Sequence, residues 1–254
     1  MEGTKAIQKF LPSRGHETFV FVHGAWHGTW CWERVETLLQ ALGHKTVAVD
    51  LPAHGKAGGD IAAQNLDTYV DCVVAELDRH SEPVILAGHS MAGVIISMAA
   101  EKRPEKVKKL VYIAAFLLAP GQSGHGIDGT GVKPKNLMSA SPDGVTVGCS
   151  DEMLRTRYGN HCSAVDQNYI CDNLCAEVVQ PLITPIYPTE ERWGSIRRFY
   201  IAGTDDLAFD PETVRKMLTR LPCEEAYEIV GDHELFASAT VELSFVLNHI
   251  ALKA

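Results

Sequence analysis

The chain has 254 residues, a formal net charge of −9 and a hydrophobic share of 46%, which fits one domain with one sizeable core and argues against collagen-like or disordered material. The acidic balance argues against broad binding of nucleic acid or anionic lipid through a basic surface. With no stretch near the ~20 apolar residues of a membrane span, no signal-peptide core in residues 1–14, and seven cysteines without framework spacing, the chain reads as a soluble, cytoplasmic protein.

Short β-branched runs alternate with helical stretches, the pattern of a parallel α/β sheet. Thr18–Val22 is the first expected strand, Trp32–Leu42 a helix, and Lys45–Val49 the second strand. Leu66, Tyr69, Val70, Val73, Val74 and Leu77 then fall on one face of a helix. Val84–Ala87 is a strand and Val94–Glu101 a helix; the basic run Lys102–Lys109, broken by Pro104 and Glu105, reads as a solvated helix end and turn. Val107–Ala114 is the next strand.

From about 120 to 194 Gly, Ser and Pro accumulate, and this stretch is expected to be a cap insertion. Asp151–Tyr158 and Val165–Val179 are its helical fragments, with Leu154, Tyr158, Tyr169, Ile170 and Leu174 as apolar surface. Cys171 and Cys175 stand four apart, too little for a metal site, and read as buried thiols. The sheet resumes with Arg198–Ala202, a helix from Pro211 to about Leu221, the strand Ala226–Val230 and a last helix Phe236–Ile250. The expected whole is a single domain over 1–254 with a mostly parallel central sheet.

The sharpest chemical signal is Gly88-His89-Ser90-Met91-Ala92-Gly93, directly between an expected strand and an expected helix. Small residues two before and two after a serine permit the tight strand-to-helix turn that exposes a nucleophile. Alanine at 92 departs from the usual glycine, and Gly93 behind it keeps the turn feasible. The alternative for Ser90 is a helix N-cap.

A serine nucleophile needs a base, and the base needs an orienting acid. His233, in a loop after the last expected strand, is the candidate base, with His249 in the final helix as competitor. Asp205 and Asp206 follow the strand ending near Ala202, and both qualify as the acid. Asp210 reads as a helix N-cap and Asp232 as a turn residue. The turn His23-Gly24-Ala25 after the first strand supplies one candidate oxyanion N–H, from Ala25, and Met91 supplies the other. His23 reads as a residue fixing this loop. His23, His27 and His54 do not form a recognisable metal-ligand pattern, so no metal is expected.

With these residues assembled, the chain resembles the plant methylesterase and hydroxynitrile lyase family of α/β-hydrolases. The resemblance runs from about Phe19 to the last helix. It rests on Phe21-Val22-His23-Gly24-Ala25-Trp26-His27-Gly28-Thr29-Trp30-Cys31-Trp32, on the stretch from Ala41 to Leu51, on the serine turn, and on the stretch from Glu191 to Ile201. It implies an α/β-hydrolase fold and, in Thr204-Asp205-Asp206, favours Asp206 as the acid. Similar lyases carry threonine where this chain has Gly24 and lysine where it has Glu234, which points away from lyase activity. Methylesterase-like members tend to have an apolar residue at Glu234, and Pro52-Ala53-His54-Gly55 looks more like bacterial hydrolases.

The reading is a serine-dependent carboxylic ester hydrolase with Ser90, His233 and Asp206 as the triad. It needs no cofactor, and its partner is a small-molecule ester; a homodimer is compatible with the sequence. A small hydrophobic or aromatic ester is implied by the resemblance alone. Trp26, Phe116, Tyr158, Phe209 and Leu235 are expected to line the pocket. The rivals are a small-molecule receptor on the same fold and a lactone hydrolase or other reaction using the same triad.

Overall fold

The computed structural model describes residues 16–124 and 138–253. Six strands form one sheet: β1 (Thr18–Val22), β2 (Lys45–Val49), β3 (Val84–His89), β4 (Val107–Ile113), β8 (Arg197–Gly203) and β9 (Glu225–Ile229), in the order β2-β1-β3-β4-β8-β9. Every pairing in this sheet is parallel. β1 and β3 are covered on both faces, so Phe19, Val20, Phe21, Ile85, Leu86 and Ala87 are all fully buried, and their sequences are continuously apolar rather than alternating.

Around the sheet lie α1 (Glu33–Ala41), α2 (Leu66–Asp78), α3 (Ala92–Lys102), α5 (Pro211–Arg220) and α7 (Thr240–Leu252). The six apolar residues expected on one face of α2 are all buried, and Asn65 starts that helix with a reciprocal capping box to Thr68. Asp210 caps α5 by accepting from the Thr213 N–H at 2.8 Å, with Pro211 in the first turn.

Between β4 and β8 the described chain forms a three-stranded sheet, β5 (Met138–Ala140), β6 (Thr146–Cys149) and β7 (Glu177–Val178), joined antiparallel. It also forms a helical stretch, Asp151–Met153 running into a π-turn at Leu154–Tyr158, and α4 (Ala164–Asn173). Residues 125–137 of the expected insertion lie outside the described residues.

Four expectations need correction. The helix expected over Val165–Val179 stops at Asn173, because the chain turns to pair Glu177 and Val178 with β6; Cys175 is therefore outside the helix. The final helix is two pieces, α6 (Leu235–Ser238) and α7, separated at Ala239, whose φ of −142° is not helical. β4 ends at Ile113 because Ala114 takes φ +42°. The basic run is not wholly solvated: Lys109 is fully buried, and its Nζ donates to the carbonyls of Ile250, Ala251 and Lys253 at 2.7, 3.2 and 2.6 Å. It thereby closes the C-terminal end of α7.

Candidate active site

The site is assembled from loops at the carboxyl ends of the parallel strands. β1 lies between β2 and β3, so successive connections diverge to opposite sides there, which is where open α/β sheets form their crevice. Val22 and Gly88 are register partners. Ala25 and Met91 each stand three residues beyond them, which sets the two candidate oxyanion donors on neighbouring turns.

Only Ser90 and Met91 separate β3 from α3. Ser90 takes φ +53°, a strained region for a residue bearing a Cβ. Main-chain bonds hold it there: its N–H donates to the Ile113 carbonyl at 3.2 Å, and its carbonyl accepts from Gly93 and Phe116, both at 3.1 Å. The turn is crowded. A Cβ on Gly93 would lie 2.1 Å from the Phe116 carbonyl oxygen, so glycine is required at 93, whereas the buried Ala92 is accommodated.

Ser90 Oγ lies 2.9 Å from His233 Nε2, and His233 Nδ1 lies 2.9 Å from Asp206 Oδ2. The carboxylate can only accept, so Nδ1 carries the proton and Nε2 is left to accept from the Ser90 hydroxyl. Asp206 is fixed in turn, its Oδ1 accepting from the Ala208 and Phe209 N–H groups at 2.7 and 2.9 Å. His233 is buried, which favours its neutral form, but the charge and hydrogen bond of Asp206 outweigh burial and hold its pKa above the ordinary value. Asp205 instead turns outward, accepting from Thr204 Oγ1 at 2.7 Å, and His249 is exposed on α7.

Histidines set the loop after β1. His23 Nδ1 donates to the Gly24 carbonyl at 2.9 Å while its Nε2 accepts from the Leu51 N–H at 3.1 Å. The Gly24 carbonyl and the Ala25 N–H belong to one trans peptide, so fixing the oxygen aims the N–H the opposite way. Burial holds the His23 pKa well below its ordinary value, which keeps the ring neutral, and these two bonds select the tautomer. A Cβ on Gly24 would stand 2.8 Å from His89 Nδ1 and 2.9 Å from Ser90 Cβ, so this turn leaves little room for a larger residue. His89 is buried, pushed down to about 3 by burial and by His233. Its Nε2 donates to the His233 carbonyl at 3.0 Å.

The segment between β4 and β8 roofs these loops. Trp26, at φ +68°, donates from Nε1 to the Val147 carbonyl at 2.9 Å, and its own carbonyl accepts from the Cys175 N–H at 2.9 Å. His233 N–H donates to the Tyr158 carbonyl at 3.1 Å. The rings of Tyr158 and Phe209 flank the His233 imidazole at centroid distances of 5.2 and 5.6 Å; Trp26 packs on Tyr158, and Phe116 on Phe209. Of the five expected pocket residues, Tyr158 and Phe209 thus flank the imidazole, Trp26 and Phe116 pack behind them, and Leu235 is fully buried at the start of α6 with its side chain against Gly231.

Three buried polar groups carry no signal in the local sequence. Asp232, expected in a plain turn, is buried and accepts from the N–H groups of His161, Cys162 and Glu234 and from Ser238 Oγ, at 2.6, 3.0, 2.9 and 2.7 Å. It pins the roof to the loop that carries His233. Glu234 is buried 3.3 Å from His27, and Glu177 is buried against His54 at 3.0 Å. Each pair joins residues more than a hundred positions apart, so local patterning carries no signal for it. Among the described residues, no group of three or more His, Cys, Asp or Glu side chains is arranged to hold a metal ion.

A sequence model of the Alpha/beta hydrolase family matches residues 19–242. The chain is 31% identical to Salicylic acid-binding protein 2 of Nicotiana tabacum, over 92% of this chain and 97% of that one. It is 30% identical to Probable esterase PIR7A of Oryza sativa, over 94% and 98%. Among solved structures, polyneuridine aldehyde esterase superposes with a TM-score of 0.85 at 24% identity, covering 93% of this chain and 99% of that chain. Methylesterase protein MES16 from Arabidopsis gives 0.76 at 26% identity, covering 93% and 100%.

Proposed function

The chain belongs to the α/β hydrolase family and, within it, to the plant methylesterases, and from that esterase membership we propose that it cleaves a small hydrophobic or aromatic carboxylic ester through an acyl-enzyme on Ser90. In this reading Ser90 Oγ attacks the ester carbonyl as its proton passes to His233 Nε2. Asp206 holds the imidazole and stabilises the imidazolium that forms. The oxyanion of the tetrahedral intermediate is met by the N–H groups of Ala25 and Met91. His233 returns the proton to the departing alkoxide; water then attacks the acyl-serine, losing a proton to His233, which passes it to Ser90 Oγ as the acid is released. The rings of Tyr158 and Phe209 beside His233, with Trp26 and Phe116 packed on them, offer apolar surface next to the base, which suits an uncharged ester.

The observation that carries the reading is the continuous 2.9 Å and 2.9 Å relay from Ser90 through His233 to Asp206, set on a strained elbow. The test is steady-state acid release from a panel of p-nitrophenyl and aromatic methyl esters by the wild type and Ser90→Ala. Multiple turnover abolished by the substitution supports the proposal. A folded wild type that turns over no ester yet binds a small aromatic ligand overturns it in favour of a receptor, a reading favoured by one relative's being named a binding protein. Turnover of lactones alone would keep the triad and change the substrate class.

A further inference from the structure

Glu234 and His27 form a buried pair beside the proposed triad that the hydrolytic steps do not use. Glu234 directly follows His233, and its carboxylate is 1% exposed. Its Oε2 lies 3.3 Å from Nε2 of His27, which is 3% exposed. The other nitrogen of His27, Nδ1, lies 2.7 Å from the carbonyl of Ala25. Both ring nitrogens thus face oxygen atoms of other residues, one at hydrogen-bond distance and one at ion-pair distance. An unpaired carboxylate at this depth would be strongly disfavoured. The pairing with His27 instead draws the Glu234 carboxyl down to about 2 against the opposing effect of burial.

The two residues sit on different loops, and each loop carries one part of the proposed machinery. The loop after β9 presents His233; the loop after β1 presents the Ala25 N–H. Between them stands His89, which donates to the His233 carbonyl and lies edge-on to His27 at a centroid distance of 5.8 Å. Resting on the hydrolase reading above, we infer that Glu234 is a positioning residue: through His27 its carboxylate ties the base-bearing loop to the oxyanion loop, so that proton transfer and oxyanion stabilisation keep one spacing. Such spacing acts on the transition state, where a small displacement of a donor is costly, and hardly on ground-state binding.

The groups that face Glu234 come from several elements. His27 and Cys31 approach from the loop after β1, His89 from the serine turn, and His233 and Asp232 from its own loop. Cys149 and Cys162 approach from the roof; burial pushes both thiols up, joined by the Glu234 charge at Cys149 and by the charges of Asp232 and then Glu234 at Cys162. Of these groups, His27 does most to favour the ionised carboxylate.

The experiment compares the wild type, Ser90→Ala, Glu234→Gln, His27→Gln and the double variant Glu234→Gln/His27→Gln. Rates of the four proteins that keep Ser90 are expressed per active site titrated with a fluorophosphonate, and those of Ser90→Ala per mole of protein. We expect Glu234→Gln and His27→Gln each to lower kcat about tenfold or more with KM within about twofold, and the double variant to lose no more than the worse single one, as for groups acting as a unit. If turnover is lost in Ser90→Ala but kcat is kept within twofold in Glu234→Gln, the positioning role is overturned while the hydrolase reading stands. A loss carried by KM alone, or losses that multiply in the double variant, overturns it equally. Absence of wild-type turnover would overturn the hydrolase reading and this role with it.

Discussion

Ser90 and its partners differ from ordinary surface residues in how many separate contacts fix each of them. Asp206 and Asp205 are neighbours of the same type, yet only Asp206 reaches His233, at 2.9 Å, while its second oxygen is held by two N–H groups; Asp205 accepts from Thr204 at the surface. In the proposed reaction Asp206→Asn should lower kcat by about 10³ or more through the wrong imidazole tautomer, and Asp205→Asn by less than about threefold. Steady-state kinetics on one ester decides it, and a larger loss in Asp205→Asn would sink the assignment. The base also sets a pH dependence. His233 must be neutral to accept the serine proton, and Asp206 holds its pKa above the ordinary 6.5 despite burial. The kcat/KM profile of the free enzyme should therefore rise with pH through a midpoint above 6.5, and a midpoint below it would contradict that balance. Crowding around the elbow is equally local. Gly93→Ala would drive a methyl onto the Phe116 carbonyl, and we expect a stability loss of about 2 kcal/mol or more, read by urea denaturation.

Secondary elements are where periodicity and turn chemistry suffice, and where tertiary contacts override them. The strands of the central sheet are runs of β-branched and aromatic residues between turn residues, so their positions are legible to within a residue or two. α2 is legible because its apolar residues recur on one face. The Val165–Val179 stretch has helical spacing, but Glu177 is needed 3.0 Å from His54, where the chain also pairs with β6, so the helix yields at Asn173. Lys109 shows the same override on a strand. By charge it belongs at the surface, yet its amine closes three carbonyls at the end of α7, the negative pole of that helix. Lys109→Met should cost about 2 kcal/mol, or roughly 5 °C in Tm for a domain of this size. Because Lys109 lies at the start of β4, far along the sheet from Ser90, kcat of the folded variant should stay within about twofold. A variant with unchanged Tm would show that the buried amine does not hold the helix end.

Across the whole molecule, the residues of the proposed triad are legible because each sits just past a strand end, whereas the contacts that join the roof to the sheet are not. Those contacts are polar pairs that exist only after the chain has folded: Asp232 with His161 and Cys162, Trp26 with Val147, and Glu177 with His54 and Tyr69. The last is a latch whose strength depends on pH. His54 Nδ1 faces the Pro52 carbonyl at 3.1 Å and Nε2 faces the Glu177 carboxylate at 3.0 Å, so the doubly protonated ring is the one that fits. Burial lowers the His54 pKa, but its contacts with Cys175 and Glu177 outweigh that and raise it from 6.5 to about 10. A group whose folded pKa lies above its unfolded one stabilises the fold fully below the unfolded value, and that contribution is lost as pH rises through the folded one. The latch should therefore be complete below about pH 6.5, weaken steadily above it, and be gone once the pH has passed about 10. Glu177→Gln keeps the shape and the acceptor for Tyr69 while removing the charge. Its Tm should lie about 5 °C below wild type near pH 7, with the two curves converging as the pH approaches 10. A gap that stayed constant across that range would mean that Glu177 stabilises the roof through shape and neutral hydrogen bonds, not through the imidazolium of His54.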